Sequence, residues 1–339
     1  MQGNSLEPIL DRPEVSSLFS VFSAQDHLLL AVSGGPDSVA MMQLACCAGG
    51  FRLSSATVNH GLRAEASSEA QHVASLAAQL NIPHAILEWQ GEKPKSRLQE
   101  LARKARYELL FAHAHEIGAT HVLTAHTLDD QAETILFRMI RGSGITGLVG
   151  MRDHVHHENI IHSRPLLGIK KERLVATCLA HNLVYTDDAS NSDTKFARVR
   201  IRKIMPVLDK EGFTAQRFLE LSKRAQRADD ALNARVETLW NADYVAISTY
   251  KLSHIIDEPA EIVLRYLLKL IKHVNLNSGG NLPYKHLRLN SVENILEDFC
   301  LALQTGKIWQ SSLAGVVMKL DKDKQLRVVP DPRSTARFS

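Results

Sequence analysis

The chain has 339 residues, of which 45% are hydrophobic, and its 40 lysines and arginines against 37 aspartates and glutamates give a net charge of +3. This length predicts two domains, and the hydrophobic fraction is typical of proteins with a packed core. The four cysteines form no C-x-x-C pair, which argues against a zinc or iron–sulfur site. No apolar stretch is long enough to span a membrane and no leader sequence is recognisable, so we expect a cytoplasmic protein.

Strands and helices alternate over the first part of the chain. The apolar run at 28–32 predicts a strand that is buried on both faces, and a buried helix follows over 39–44. Further strands are predicted over 53–59, 84–88, 121–124 and 160–165, and further helices over 66–80, 98–117, 129–141 and 170–181. This alternation predicts an α/β fold, a doubly wound and mostly parallel sheet that binds ligands at the carboxyl ends of its strands.

The first strand runs directly into the segment SGGPDS at 33–38. A strand, a two-glycine turn and a helix in this order build an anion site, because backbone N–H groups and the helix N-terminus converge on the ligand. Pro36 suits the first helical turn. No Gly-Lys-Ser/Thr follows, so the segment is not a Walker loop. The alternative is an ordinary strand–helix turn.

Two basic segments lie near this predicted edge of the sheet. VNHGLR at 58–63 follows the second strand and contains Val58 and His60. ARKARY at 102–107 lies on the helix over 98–117, where Arg106 is placed off the face that is predicted to be buried. Both segments have a plain alternative, a surface loop and a solvated basic face. The buried face is predicted to comprise Leu98, Leu101, Ala102, Ala105, Leu109 and Ala112.

An acidic cluster follows the fourth strand. Thr127 and Asp130 have the spacing of a capping box at the start of a helix. Asp130 and Glu133 lie one turn apart on the face opposite to the apolar one, so a cation, either Mg²⁺ or a substrate ammonium, is expected between them. The alternative is that Asp130 only caps the helix and that Glu133 is a surface residue. The predicted apolar face comprises Ala132, Ile135, Leu136, Met139 and Ile140.

The remaining motifs are less specific. The glycine-rich segment at 141–148 is either a connector or a cover for a nucleotide, and the histidines at 154–162 fit a surface loop better than a metal site. A polar loop at 187–193 precedes a basic run at 198–203, which indicates phosphate or nucleic-acid contact or else a salt-bridged junction.

The alternation of strands and helices stops near residue 210, where we place a domain boundary. Residues 1–210 are predicted to form the catalytic domain. Residues 211–339 are predicted to form a smaller, mainly helical α+β domain that binds or positions a partner. Its helices are predicted over 213–241, 258–274 and 284–303, and its short strands over 307–309, 315–320 and 325–329.

Eight motifs together resemble one family, the tRNA(Ile)-lysidine synthetases, a branch of the N-type (PP-loop) ATP pyrophosphatases. They are SGGPDS, VNHGLR, ARKARY, HTLDDQAET, RGSGITGL, RPLL, DDASNSD and the basic run from Arg198, in the family's order. The resemblance covers the first domain, whereas the second is similar only in outline to the family's short form. It implies a ligase that adenylates C2 of the wobble cytidine of a tRNA(Ile) with a CAU anticodon and then attaches lysine. It also allows a homodimer and implies no membrane.

The resemblance also implies roles for individual residues. Asp37, His126, Asp130 and Arg198 are the implied catalytic residues, Asp37 and Asp130 the implied Mg²⁺ ligands, and Arg106, Asp130 and Glu133 the implied lysine-binding residues. The implied ATP-binding residues are Ser33, Gly34, Gly35, Pro36, Asp37, Ser38, Val58 and His60. One position departs from the family, which often has asparagine where this chain has Val199.

Two other functions remain open at this stage. One is another PP-loop enzyme, such as a tRNA thiolase or an amide-forming synthetase, although the cysteine pair of the former and the ammonia source of the latter are not recognisable. The other is a tRNA-binding protein with a degenerate ATP site, against which the intact Asp37, Asp130 and Glu133 argue.

Overall fold

The computed structural model describes residues 9–62, 65–91, 93, 97–186, 197–242, 249–251, 255, 257–277 and 289–331. The chain divides into two compact units, Met1–Arg138 with Gly150–Ser222, and Met139–Val149 with Lys223–Ser339. The assignment of a catalytic and a positioning domain on either side of residue 210 stays a prediction. The loop predicted at 187–193 lies outside the described residues.

The first unit contains a six-stranded sheet in the order β3-β2-β1-β4-β6-β5. All neighbouring strands are parallel except the last pair, β6 and β5, so the predicted fold class is confirmed. The sequence winds outward from β1 to β3 and then returns to β4, so the switch point lies between β1 and β4. The strands are β1 (His27–Ala31), β2 (Arg52–Asn59), β3 (His84–Glu88), β4 (His121–Thr124), β5 (His154–His157) and β6 (Ile160–Ser163).

Helices cover both faces of the sheet, which explains why β1 shows no polar alternation. Leu28 and Leu30 belong to one buried cluster with α2 and α7, and Leu29 to another with Leu110 and Ala114 of α4. The helices up to residue 210 are α1 (Arg12–Phe19), α2 (Pro36–Ala48), α3 (Ala66–Gln79), α4 (Leu98–Glu116), α5 (Leu128–Ile140), α6 (Ile145–Leu148), α7 (Lys171–Ala180) and α8 (Ala197–Lys210).

Three details of the sequence prediction are wrong in this unit. The residues His154–His157 form an edge strand and not a loop, because their backbone pairs with β6. On α4, Ala112 is exposed, since the last turns bury Leu110 and Ala114 against the sheet instead. On α5, Met139 and Ile140 are exposed, at 44% and 65%.

The second unit has an antiparallel sheet in the order β7-β10-β9-β8 and a core that includes the fully buried Tyr266 and Phe299. Its α+β character is as predicted, although β8 begins at Trp309 where the predicted strand ends, β7 was not predicted, and residues 284–288 lie outside the described part. The elements are α9 (Ala215–Ala242), β7 (Thr249–Lys251), α10 (Ala260–Asn277), α11 (Leu289–Thr305), β8 (Trp309–Leu313), β9 (Val316–Leu320) and β10 (Gln325–Pro330).

The glycine-rich segment at 141–148 is fastened to the second unit by a buried ion pair. Arg265 donates from Nη1 to Oδ1 of Asp229 over 2.8 Å, and the Thr146 hydroxyl donates to the same oxygen over 2.7 Å. Arg265 also contacts the Thr146 hydroxyl. These bonds explain why Met139–Val149 groups with the second unit.

No helix in the described ranges is long and apolar enough to cross a membrane.

Candidate active site

The segment 33–38 folds around the hydroxyl of Ser38, which is buried. The Ser33 N–H donates to this oxygen over 3.1 Å, and the hydroxyl donates to the Gly35 carbonyl over 2.9 Å. Gly34 has a φ of +87°, and Gly35 is the N-cap of α2, with Pro36 in the first turn as predicted. In the first turn of α2, Pro36 has no N–H group and Ser38 donates its N–H to the Gly35 carbonyl over 3.1 Å. The loop therefore offers an anion mainly the partial positive charge of the helix N-terminus.

A cavity of about 1000 Å³ opens at the carboxyl ends of β1, β2 and β4. This volume is in the range of small-molecule and nucleotide sites. Of the predicted site residues, eight line it: Ser33, Gly35, Asp37, Ser38, Val58, His60, Arg106 and His126. Small apolar side chains from β2 and α3 line another part of it, among them Ala56, Ala66 and Ala70. The cavity thus combines the anion loop with an apolar wall at the switch point, where the topology predicts a nucleotide.

The carboxylate of Asp37 is half-buried, and its negative charge is only partly balanced by a nearby cation. Its pKa is raised to about 6, mainly by burial and also by the charges of Asp130 and Asp129, although Lys171 opposes this shift. The Lys171 ammonium lies 3.7 Å from Oδ2, and Oδ1 is buried without a hydrogen-bond partner. An orphaned, buried carboxylate oxygen beside an anion loop is a place where a cation would be held strongly.

The capping box of α5 is present as predicted. The Thr127 N–H donates to Oδ2 of Asp130 over 2.9 Å, and the Asp130 N–H donates to the Thr127 hydroxyl over 3.3 Å. Oδ1 of Asp130 lies 3.8 Å from Nη2 of Arg202. Asp130 therefore caps the helix with one oxygen and keeps the other for an electrostatic contact.

Glu133 is buried, so its interpretation as a surface residue is wrong. Its side chain is only 6% exposed, because Arg202 of α8 lies against it and donates from Nε to Oε1 over 2.6 Å. Oε2 is buried without a hydrogen-bond partner. Burial raises the pKa of Glu133, and the hydrogen bond from Arg202 opposes this shift. The acidic pair thus has one buried acceptor left for a further cation.

Comparison with known proteins is consistent with this geometry. Residues 11–208 match the model of a family described as a PP-loop domain. The tRNA(Ile)-lysidine synthase of Rhodopseudomonas palustris is 46% identical over 237 residues, 68% of each chain. The tRNA(Ile)-lysidine synthase of a Bradyrhizobium species is 39% identical over 340 residues, 94% of each chain. The chain belongs to the tRNA(Ile)-lysidine synthase family.

A solved structure supports the fold of this family member. The U34-tRNA thiolase NcsA from Methanococcus maripaludis superimposes with a TM-score of 0.54 at 17% identity, covering 62% of this chain and 78% of that one. At this identity the likeness extends to the fold alone. The match to an ATP-binding PP-loop domain indicates that this chain uses ATP.

Arg198 and Arg202 lie on the same helix, but it is Arg202 that contacts the acidic pair. Arg198 is exposed on α8 and does not line the cavity, although its charge helps to lower the pKa of His126. Arg202, which belongs to the predicted basic run but was given no role of its own, makes the contacts with the acidic pair, as the salt-bridged alternative for this run predicts. Residues four apart lie on the same face of a helix, so a predicted helix would have placed Arg202 beside Arg198. That helix, α8, was not predicted, and it contains Pro206. Val199, where the family often has asparagine, is buried.

Replacing Gly34 by alanine should destabilise the protein by about 1–2 kcal/mol, because the left-handed backbone is unfavourable for a residue with a Cβ. The new methyl carbon would also lie 3.0 Å from Oγ1 of Thr186. Gly35→Ala is the matched control, since its φ is −72° and its Cβ would meet nothing closer than 3.8 Å. Urea unfolding of both variants measures the difference. Equal stability losses would contradict the prediction.

Replacing Arg202 by glutamine should lower the free energy of unfolding by about 1–3 kcal/mol at pH 7, because the buried carboxylate of Glu133 would lose its charged partner. The loss should be smaller at pH 4 than at pH 7, because burial raises the pKa of Glu133 and a protonated carboxyl group needs no counter-charge. Lys203→Gln, an exposed neighbour on α8, is the control for a simple change of net charge. A loss that is the same at both pH values would contradict this account.

Proposed function

We propose that this lysidine synthase family member ligates L-lysine to C2 of the wobble cytidine of a tRNA(Ile) with a CAU anticodon, converting ATP to AMP and pyrophosphate. The observation that carries the proposal is that the anion loop, Asp37, Arg106 and His126 all line the same cavity. The reaction has two steps. The C2 oxygen attacks the α-phosphorus and pyrophosphate leaves, and then the lysine ε-amine attacks C2 and AMP leaves with that oxygen.

In the first step the loop at 33–38 holds the pyrophosphate that departs. The partial positive charge of the α2 N-terminus stabilises the negative charge that develops on the leaving group. The small residues Gly34 and Gly35 let the phosphates approach the backbone. The loop therefore favours the transition state by electrostatics and contributes no nucleophile of its own.

Asp37 and Asp130 are suited to hold a Mg²⁺ ion that neutralises charge on the phosphates. The orphaned Oδ1 of Asp37 fits this role, since a bound cation would satisfy it. In the part of the chain that the structure describes, no three His, Cys, Asp or Glu residues form a metal cluster. This agrees with the usual mode of Mg²⁺, which takes one or two carboxylates and completes its shell with phosphates and water.

In the second step the acidic pair receives the lysine. Asp130 and the free oxygen of Glu133 attract the ammonium group, and the guanidinium of Arg106, which lines the cavity, is available for the carboxylate. The amine must lose a proton before it attacks. A carboxylate with a raised pKa, as Glu133 has, is a better proton acceptor than an ordinary one. The second unit is proposed to position the tRNA.

Nothing in the site favours the thiolase alternative. Cys46, Cys47, Cys178 and Cys300 are all free, and none of them is among the residues that line the cavity. Burial raises the pKa of Cys178 to about 12, so its thiol stays protonated and unreactive.

The test incubates the protein with labelled lysine, ATP, Mg²⁺ and a tRNA(Ile) transcript that carries the CAU anticodon. We expect label in the RNA, with one AMP formed for each lysine attached. A transcript in which uridine replaces the wobble cytidine is the control and should take up no label. Absence of incorporation with folded protein that still binds ATP would overturn the proposal.

A further inference from the structure

Three side chains behind His126 form a hydrogen-bonded row that ends at a half-buried arginine. The Thr124 hydroxyl lies 2.8 Å from Nδ1 of His126 and 2.9 Å from Nε2 of His162. Nδ1 of His162 in turn lies 3.0 Å from Nη2 of Arg164. Thr124 ends β4 and His162 lies on β6, so two neighbouring parallel strands hold the row in place.

The arginine at the end of the row fixes the direction of the two bonds that His162 makes. A guanidinium can only donate, so Nδ1 of His162 accepts from Arg164 and its single proton must lie on Nε2. That proton is donated to the Thr124 oxygen. The hydroxyl's own proton is then available for Nδ1 of His126, which is its other partner within the described residues. In that arrangement Nδ1 of His126 accepts, and the proton of this ring lies on Nε2.

The surroundings keep both histidines of the row neutral and pack around them. Burial and the charge of Arg164 lower the pKa of both His126 and His162 to about 3. The positive charges of Arg103 and Arg106 also lower the pKa of His126. The ring of His162 packs against Tyr107, with centroids 5.3 Å apart, and Nη1 of Arg164 donates to the carbonyl of Arg152.

We propose that His162 and Arg164 are positioning residues that act through Thr124 to fix His126 as the Nε2–H tautomer. His126 and Thr124 both line the cavity, and Nδ1 of His126 is occupied, so the Nε2–H group is what the ring offers to a ligand. In the proposed reaction, on which this step rests, His126 donates a hydrogen bond to a phosphate oxygen of ATP. It takes no proton, which distinguishes it from a general base. A donor fixed in advance stabilises charge that develops in the transition state.

Nitrogen-15 NMR of histidine-labelled protein tests the tautomer without any activity measurement. The His126 signals are assigned by their loss in His126→Asn. We expect the proton on Nε2 of both His126 and His162 between pH 5 and 8. Thr124→Val removes the hydroxyl at constant shape and should populate the other tautomer of His126, whereas Thr124→Ser should keep the native one. A proton on Nδ1 of His126 in the wild type would overturn the inference.

Kinetics on the same variants separate positioning from structure. Thr124→Val and His162→Leu should lower kcat by about tenfold with KM for lysine within about threefold, and Thr124→Ser and His162→Gln should recover most of it. Unchanged kcat in Thr124→Val, or no recovery in Thr124→Ser despite a native circular dichroism spectrum, would overturn the positioning role. If the wild type ligates no lysine, the proposed function fails, while the NMR result still decides the tautomer.

Discussion

Replacing Asp130 by asparagine should reduce lysine ligation by about 10³-fold and leave the fold intact, since removing one preorganised charge from a reaction centre commonly has an effect of this size. Asparagine keeps an oxygen that can accept from the Thr127 N–H, so the cap of α5 survives. What the variant loses is the charge that attracts the ammonium and the metal. Single-turnover ligation and thermal unfolding measure the two properties separately.

Asp129→Asn is the matched control for this variant. Asp129 lies one residue earlier, but its Oδ2 accepts the N–H of Lys171 at the start of α7 over 2.8 Å, which is a structural role. We expect ligation within about threefold of wild type and a stability loss of about 0.5–1 kcal/mol. Equal losses of ligation in both variants would mean that ligation depends on the total negative charge of the region and not on Asp130 itself.

Replacing Asp37 by asparagine should abolish adenylation and, at the same time, stabilise the ligand-free protein at pH 7. The pKa of Asp37 is about 6 in the folded protein against an ordinary value of 3.8, so folding disfavours its ionised form. Asparagine removes this penalty, which we expect to raise the free energy of unfolding by about 3 kcal/mol. Pyrophosphate release and urea unfolding are the measurements.

The pH dependence gives this prediction a sign that can be checked. A raised folded-state pKa means that the folded protein binds more protons than the unfolded chain between about pH 4 and pH 6. The contribution of Asp37 to stability is therefore fully present below pH 4 and is lost as the pH rises through 6. The stabilisation by Asp37→Asn should be complete above pH 6 and nearly absent at pH 4.

Asp26→Asn should show the opposite behaviour and serves as the control. Hydrogen bonds from Ser23 lower the pKa of Asp26. Its charge therefore stabilises the fold above its unfolded pKa and loses this effect as the pH falls. Asp26 precedes β1, at the opposite end of the strand from the loop, so ligation should be unchanged. If both variants changed stability in the same direction, the account of Asp37 would be wrong.

Local sequence patterns were enough to predict the parts of the site that lie within one element or at one strand end. The anion loop depends on a strand, two glycines and a helix in succession, and the capping box on residues three apart. The contact between Arg202 and Glu133 joins residues 69 apart, and the bond between Thr124 and His162 joins residues 38 apart. The periodicity within a single helix or strand cannot predict side-chain contacts between residues so far apart in the sequence, so these contacts are seen only in the folded structure.

The errors have related physical causes. Glu133 was expected on an exposed face because a helix considered alone has one, whereas the packing of α8 covers it. The strand β5 was missed because three of its four residues are exposed histidines, which show no apolar alternation, and because its conformation comes from pairing with β6. Burial of Leu110 instead of Ala112 on α4 reflects the position of the sheet below the last turns.

The histidine-rich strand β5 protects the sheet from self-association. A parallel sheet that ended at a long apolar strand would offer unpaired backbone groups and apolar side chains to a second molecule. β5 is only four residues long, runs antiparallel to β6 and exposes three histidines, His154, His156 and His157, at that border. Short, polar edge strands of this kind are poor templates for intermolecular pairing. The same residues that looked like a loop thus help to keep this border of the sheet from aggregating.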